Sequence, residues 1–202
     1  MTTFTFPSSL TPNASTWGLT SNTRALVSPV SGAAQAIVRG GERWICTLTF
    51  NNLLPAERAE LVAFLARLNG HEHRVLLEDH SWTRQGTGAE GAESTAATAA
   101  GATQITFDGA PASQTGYIKA GDYVQIRGEM KMAVADVDTD GSGEGTLLFV
   151  PRVRDQIPID EPLNLIAPLR GTFMLADPTV SWSNRPGVFT NLSVSFIEDV
   201  LA

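Results

Sequence analysis

The sequence predicts a mainly β protein with one short α-helix: a split β-sandwich or barrel-like domain interrupted by an inserted, small OB-like β-barrel. Three observations carry this. The segment Arg39–His80 reads as strand, helix and strand. Nearly every other apolar run is short, alternating and bounded by Gly, Pro or Asp. A central block of the chain differs from both flanks in charge and composition.

Trp44 to Phe50 has a period of two. Trp44, Cys46, Leu48 and Phe50 face one way, and Ile45, Thr47 and Thr49 the other, as in a half-buried strand. A helix over 55–69 follows. Pro55 suits a first helical position, Glu57 and Glu60 favour the N-terminal half, Arg67 the last turn, and Gly70 the C′ position. Leu61, Phe64, Leu65 and Leu68 repeat at i, i+3, i+4 and i+7, forming one apolar stripe. So short a helix is marginal alone in water. Four buried large side chains, about 1.5–3 kcal/mol each at the upper bound, hold it only if it docks on a sheet. Val75-Leu76-Leu77 then reads as the next strand.

From Gln85 to Thr103 the chain turns to Gly, Ala, Thr, Ser and Glu without apolar periodicity, which predicts a linker or flexible loop. Beyond it, five short strands are expected at Gln104–Phe107, Tyr117-Ile118, Tyr123–Arg127, Met130–Val137 and Thr146–Val150. That spacing suits a small barrel. Pro151, Pro158, Pro162 and Pro168 mark an irregular return, and strand-like runs lie near Phe173–Leu175, Val180–Trp182 and Leu192–Ile197. Residues 84–167 hold six basic and twelve acidic side chains, a net of −6, whereas the remainder is −1. An acidic module at 84–167 is therefore expected inside a domain built from 1–83 and 168–202, with the two ends of the insertion close together.

Bulk properties narrow the function. A hydrophobic content of 43% and a charged content of 17% describe a globular chain. The net charge of −7 argues against stable nucleic-acid binding, which needs clustered Lys and Arg. Cys46 is the single cysteine, so a disulfide framework and a cysteine-built zinc site are excluded. No run of about 18 apolar residues occurs, so membrane insertion is not expected. Met1–Pro7 lacks the basic and apolar regions of a secretion signal, and folding in a cytoplasm is expected. Asn13-Ala14-Ser15 and Asn191-Leu192-Ser193 are then coincidental glycosylation patterns.

Motif by motif, little chemistry emerges. Asp136-Val137-Asp138-Thr139-Asp140-Gly141 matches the first half of an EF-hand loop, but Leu147 stands where the bidentate Glu belongs. Weak calcium binding at Asp136–Asp140 competes there with a plain acidic turn, the favoured reading. His71, His73 and His80 lie close in sequence and could ligate a transition metal, yet loop histidines are the commoner case. No Gly-x-Ser-x-Gly, His-Glu-x-x-His or Walker loop occurs, and mid-strand Cys46 reads as an inert thiol. No carboxylate pair is singled out, so neither enzyme activity nor a cofactor is expected. Trp17, Trp44, Trp82 and Trp182 could form a sugar-stacking platform, though core packing is favoured for them.

Gly40-Gly41-Glu42-Arg43-Trp44 leading a strand, Ala59-Glu60-Leu61-Val62-Ala63-Phe64-Leu65-Ala66-Arg67-Leu68-Asn69-Gly70, and Val75-Leu76-Leu77 together resemble the distal tail proteins of long-tailed (siphovirus-like) bacteriophages. Ala120-Gly121-Asp122 resembles a turn of the same proteins. Val150-Pro151-Arg152-Val153-Arg154 resembles their Pro-x-Leu-Arg segment, with Val153 in place of Leu. The resemblance implies a structural virion component of the tail, assembled in the bacterial cytoplasm. Its domain with the helix would close into a homohexameric ring joining the tail tube protein to the tip or baseplate hub, with the tape measure protein as a further neighbour. The second module, OB-like or galectin-like in such proteins, would project outward. In a closing heterologous ring the expected contact residues are Phe4, Phe6, Leu10, Trp17, His71 and Trp182. Two alternatives are a carbohydrate- or receptor-binding tail module, contacting ligand through Tyr117 and Tyr123 in the barrel, and another tail tube or tube-completion protein.

Overall fold

Alternation in the run around Trp44 produces the longest strand of the molecule. The computed structural model describes residues 1–184 and 190–200; residues 185–189 and 201–202, within the expected domain segment 168–202, lie outside the described residues. In chain order the elements are β1 (Thr3–Thr5), β2 (Ala14–Thr20), β3 (Thr23–Val27), β4 (Ala34–Val38), β5 (Arg43–Leu53), α1 (Pro55–Arg67) and β6 (Arg74–Leu77). Then come β7 (Glu93–Ser94), β8 (Gln104–Asp108), β9 (Tyr123–Ile126), β10 (Glu129–Ala133), β11 (Gly145–Val150) and β12 (Leu163–Asn164). The chain closes with β13 (Gly171–Leu175), β14 (Ser183–Asn184) and β15 (Thr190–Glu198). The fold is mainly β with a single short helix.

The first sheet has the order β1-β6-β13-β15-β5-β2, with β14 also paired to β15. Only the β1–β6 pair is parallel among its neighbours. Trp44, Cys46, Leu48 and Phe50 point to its inner face and meet Phe173, Leu175, Leu192 and Phe196 there. Helix α1 covers this face with Leu61 and Leu65, and Leu68 at its C-terminal end is fully buried beside them. The helix begins at Pro55, and the carboxylate of Glu57 accepts the amide of Leu54 at 2.8 Å. It ends two residues short of expectation because Asn69 and Gly70 take left-handed conformations, at φ 49° and 64°. Among the described residues no element covers the opposite face of the sheet. Thr47, Thr49, Ser193 and Ser195 lie there side by side.

The second sheet is a nearly closed six-stranded barrel, in the order β12-β9-β10-β11-β8-β7. Its two ends meet through the amides of Leu163 and Ser94, which donate to Ala92 O and Glu161 O at 2.8 and 3.0 Å. Ile105, Phe107, Tyr117, Val124, Leu147 and Phe149 fill it.

Several expectations need correction. The polar stretch 85–103 is neither a plain linker nor a flexible loop. Its glycines are there because the backbone runs against the barrel: a Cβ on Gly86 would lie 2.6 Å from Tyr117 O, and one on Gly88 2.8 Å. Gln85 and Gly86 donate their amides to the carboxylate of Asp122, each at 2.8 Å. Ser94 in the same stretch is fully buried, accepting the amide of Glu161 and donating to Pro158 O. Small residues suit a linker or flexible loop, and they equally permit the close backbone packing found here. Tyr117-Ile118 forms only a bridge, to Val137, and β10 stops at Ala133 rather than Val137. Val180–Trp182 is not a strand; the pairing there is confined to β14.

Barrel and first sheet share packing. Tyr123 and Met130, both from barrel strands, belong to the same buried cluster as Trp44. The indole Nε1 of Trp44 donates to Met130 O at 2.9 Å, and its ring meets Tyr123 edge-on at 5.5 Å. Arg84 donates to Leu165 O at 2.9 Å, tying the two ends of the acidic segment.

Candidate assembly surface

Strands β3 and β4 pair only with each other among the described strands. They continue the β2–β5 ribbon outward past a break at Asn22 and Gly40, where Asn22 Nδ2 donates to Gly40 O at 2.8 Å and Arg39 N to Asn22 O at 2.9 Å. At the tip, Ser28 N donates to Ala33 O, and Ser28 Oγ accepts from Val30 and Ser31. Gly32, at φ 69°, makes the reversal. Every strand residue of this hairpin except Ile37 is exposed. Val30 is 95% exposed, Val27 63%, Val38 52% and Leu26 44%. Arg24 and Arg39 are its only charged residues, in a chain of net −7.

A two-stranded hairpin without a covering layer is at best marginally stable in water. Four bare aliphatic side chains on such a hairpin leave apolar surface that burial would stabilise, at about 25 cal/mol per Å². Chain order also leaves β2 as one edge strand of the first sheet and β1 as the other. Unpaired strand edges are templates for another strand. The hairpin was not anticipated, although two five-residue runs around Ser28-Pro29-Val30-Ser31-Gly32 carry the turn signal of one.

Of the residues expected at contacts between copies, Phe6 and Leu10 instead fill the protomer's own core, at 8% and 4% exposure. Phe6 stacks near Phe50 and meets Phe64 edge-on, because the N-terminal arm folds back over α1. Phe4 is half-buried under the guanidinium of Arg67, 4.0 Å from its ring centre. Trp17 is half-buried against Phe173. His71 is exposed, one ring nitrogen 2.9 Å from Leu175 O, and Trp182 is exposed.

Chemical sites are few. His73 accepts the amide of Thr2 and meets Phe4, while His80 lies 3.8 Å from Glu78, so the three histidines do not converge. Among the described residues no cluster of His, Cys, Asp and Glu is placed to hold a metal. Asp136 accepts Lys119 Nζ and the amide of Ala120, Asp138 the amide of Gly116, and Asp140 those of Ser142 and Glu144. Backbone donors thus take up these carboxylates one by one. Cys46 is 1% exposed. Its thiol is pushed up to about 12, by burial first and the charge of Asp79 second. Tyr117 and Tyr123 are buried, the former donating to Ala89 O at 2.9 Å, so neither offers the barrel a binding surface. Trp44 is likewise core.

Between barrel and sheet lies an ionic group. Glu198, 1% exposed, accepts the amide of Trp44 at 2.9 Å and sits 2.6 Å from Arg154. That ion pair is off-line, leaving Arg154 Nε and Glu198 Oε1 without hydrogen bonds among the described residues. Lys131, equally buried, pairs with Glu129 and donates to Arg152 O at 2.9 Å. Burial, outweighing the opposite charges nearby, raises the Glu198 carboxyl and lowers the Lys131 ammonium. The group fastens two layers, and on its outer side Arg154 borders a cleft of about 320 Å³ shared with Glu42, Gly101 and Arg152.

No protein-family model matches the chain, and no curated protein matches it.

Proposed function

We propose that this chain is a structural, self-assembling virion component: a distal tail protein whose copies close into a hexameric ring between the phage tail tube and the tip or baseplate hub. The observation that carries the reading is the bare β3–β4 hairpin. Its aliphatic residues Leu26, Val27, Val30 and Val38 have no partner surface within the protomer among the described residues. A projecting arm on one side and a body of different shape on the other make a heterologous contact, the kind that closes into rings. The basic hairpin also opposes the acidic remainder of the chain, favouring arm-to-body over arm-to-arm contact. The phage setting rests on the resemblance of the strand–helix–strand segment.

Mass-resolved sedimentation of the intact protein tests it, with a variant in which residues 24–37 are replaced by a two-glycine turn. Concentration-dependent assembly in the intact chain, lost in a folded shortened variant, is the expected result. A monomer at high concentration that is also absent from purified tail particles would sink the reading.

A further inference from the structure

We propose that the groove beneath Trp182 binds a neutral saccharide chain. The proposal goes beyond the assembly reading and does not depend on it.

Trp182 lies where the chain approaches the uncovered face of the first sheet, and its side chain is 46% exposed. It borders a groove of about 370 Å³ whose floor is formed by Thr49, Asn51, Asn191 and Ser193, with Ser181 at the rim. That volume falls toward the lower end of small-ligand sites, which span roughly 300–1,000 Å³.

The lining has a particular chemistry. Thr49 and Ser193 face one another across strands β5 and β15, Oγ atoms 3.4 Å apart. Thr47 and Ser195 repeat the pair two residues further along, at 2.8 Å, so a row of hydroxyls leads away from the indole. Asn191 is held by its Oδ1, which accepts the amide of Asn52 at 3.0 Å. Its Nδ2 is left as a donor without a partner among the described residues. The amide group of Asn51 is likewise unengaged among them.

Each of these groups is uncharged, and most both donate and accept hydrogen bonds. No ionisable residue is among the described lining residues. Among the described lining residues a phosphate-bearing ligand, nucleic acid included, would find no countercharge. A purely apolar ligand would strand the amides and hydroxyls, each at a desolvation cost. A sugar ring meets both demands: its C–H face lies on the indole, and its hydroxyls match amide and hydroxyl partners in either direction. Of the four tryptophans, Trp44 is buried and Trp17 and Trp82 are half-buried; Trp182 is the one presented in this way.

The test is calorimetric titration of the intact protein with neutral tetrasaccharides from glucan, mannan, galactan and chitin, and with a uronic-acid tetramer as the anionic control. At least one neutral chain should bind with Kd about 1 mM or tighter. W182A should weaken it at least tenfold, N191A severalfold, and W182F less than W182A. Circular dichroism checks that the variants keep the fold, as expected for a half-exposed side chain. No binding by any neutral chain overturns the proposal, as does binding untouched by W182A or equal affinity for the anionic control. If W182A abolishes self-association and the protein binds no saccharide, the groove is a contact between copies and the proposal fails while the assembly reading stands.

Discussion

Replacing Trp44 by Phe should reveal whether the barrel and the first sheet unfold together. Trp44 is 3% exposed and belongs to β5, yet its indole N–H bonds Met130 O and its ring packs against Tyr123, both in the barrel. Phenylalanine keeps most of the edge-on aromatic contact. It loses the N–H donor, leaving a buried carbonyl short of one bond, at about 1–3 kcal/mol. The smaller ring leaves a void costing about 1 kcal/mol more. The expected loss is about 2–4 kcal/mol, which for a chain of this size lowers Tm by roughly 5–15 °C. Urea unfolding followed by far-ultraviolet dichroism and by fluorescence gives the free energy and tests cooperativity. Coincident transitions that shift together to lower urea are expected. A loss below about 0.5 kcal/mol, beneath the smallest penalty for the missing bond, would refute the reasoning. So would a barrel transition that stays in place while the rest moves.

Other predictions follow from local geometry. Gly143→Ala should cost about 2 kcal/mol or more, read from the urea midpoint, because a Cβ there would lie 2.0 Å from Ala110 O at φ +82°. Cys46 should resist a thiol reagent at pH 8 in the native protein and react on unfolding, since its thiol is buried and raised to about 12. Asp136 and Asp140 are held below their ordinary value of 3.8, chiefly by backbone N–H donors. Their contribution is therefore complete above that value and is lost as pH falls through the folded pKa. D140N keeps an acceptor but removes the titration, so its urea midpoint should fall less than that of the unaltered protein between pH 4 and pH 2. Glu198 is raised and slopes the other way: its contribution is present below its ordinary 4.5 and fades as pH rises through the folded value.

Legibility varied along the chain for physical reasons. Around Trp44 and Leu61, period-two and helical apolar spacing translate directly into which side chains are buried, because one face of each element meets the core. Gly-rich 85–103 misled, since small residues serve equally for solvated loops and for backbone pressed against a barrel. Phe6 and Leu10 looked like arm residues free to reach a neighbour, and only the fold-back over α1 uses them inside. The hairpin has too little apolar contrast between its faces to stand out by periodicity, and the Trp182 groove joins residues far apart in the chain.

Local sequence was enough for the mainly β class, the single helix between two strands, the buried side of β5 and the acidity of the central segment. Each depends on neighbours a few residues apart. Tertiary structure alone decided that Trp44 locks the barrel to the first sheet, that the Asp136–Asp140 carboxylates serve backbone amides, and that among the described residues one hairpin and one hydroxyl-lined face stay uncovered. Those outcomes depend on which distant surfaces come together, and hence on the free energy of packing the whole chain.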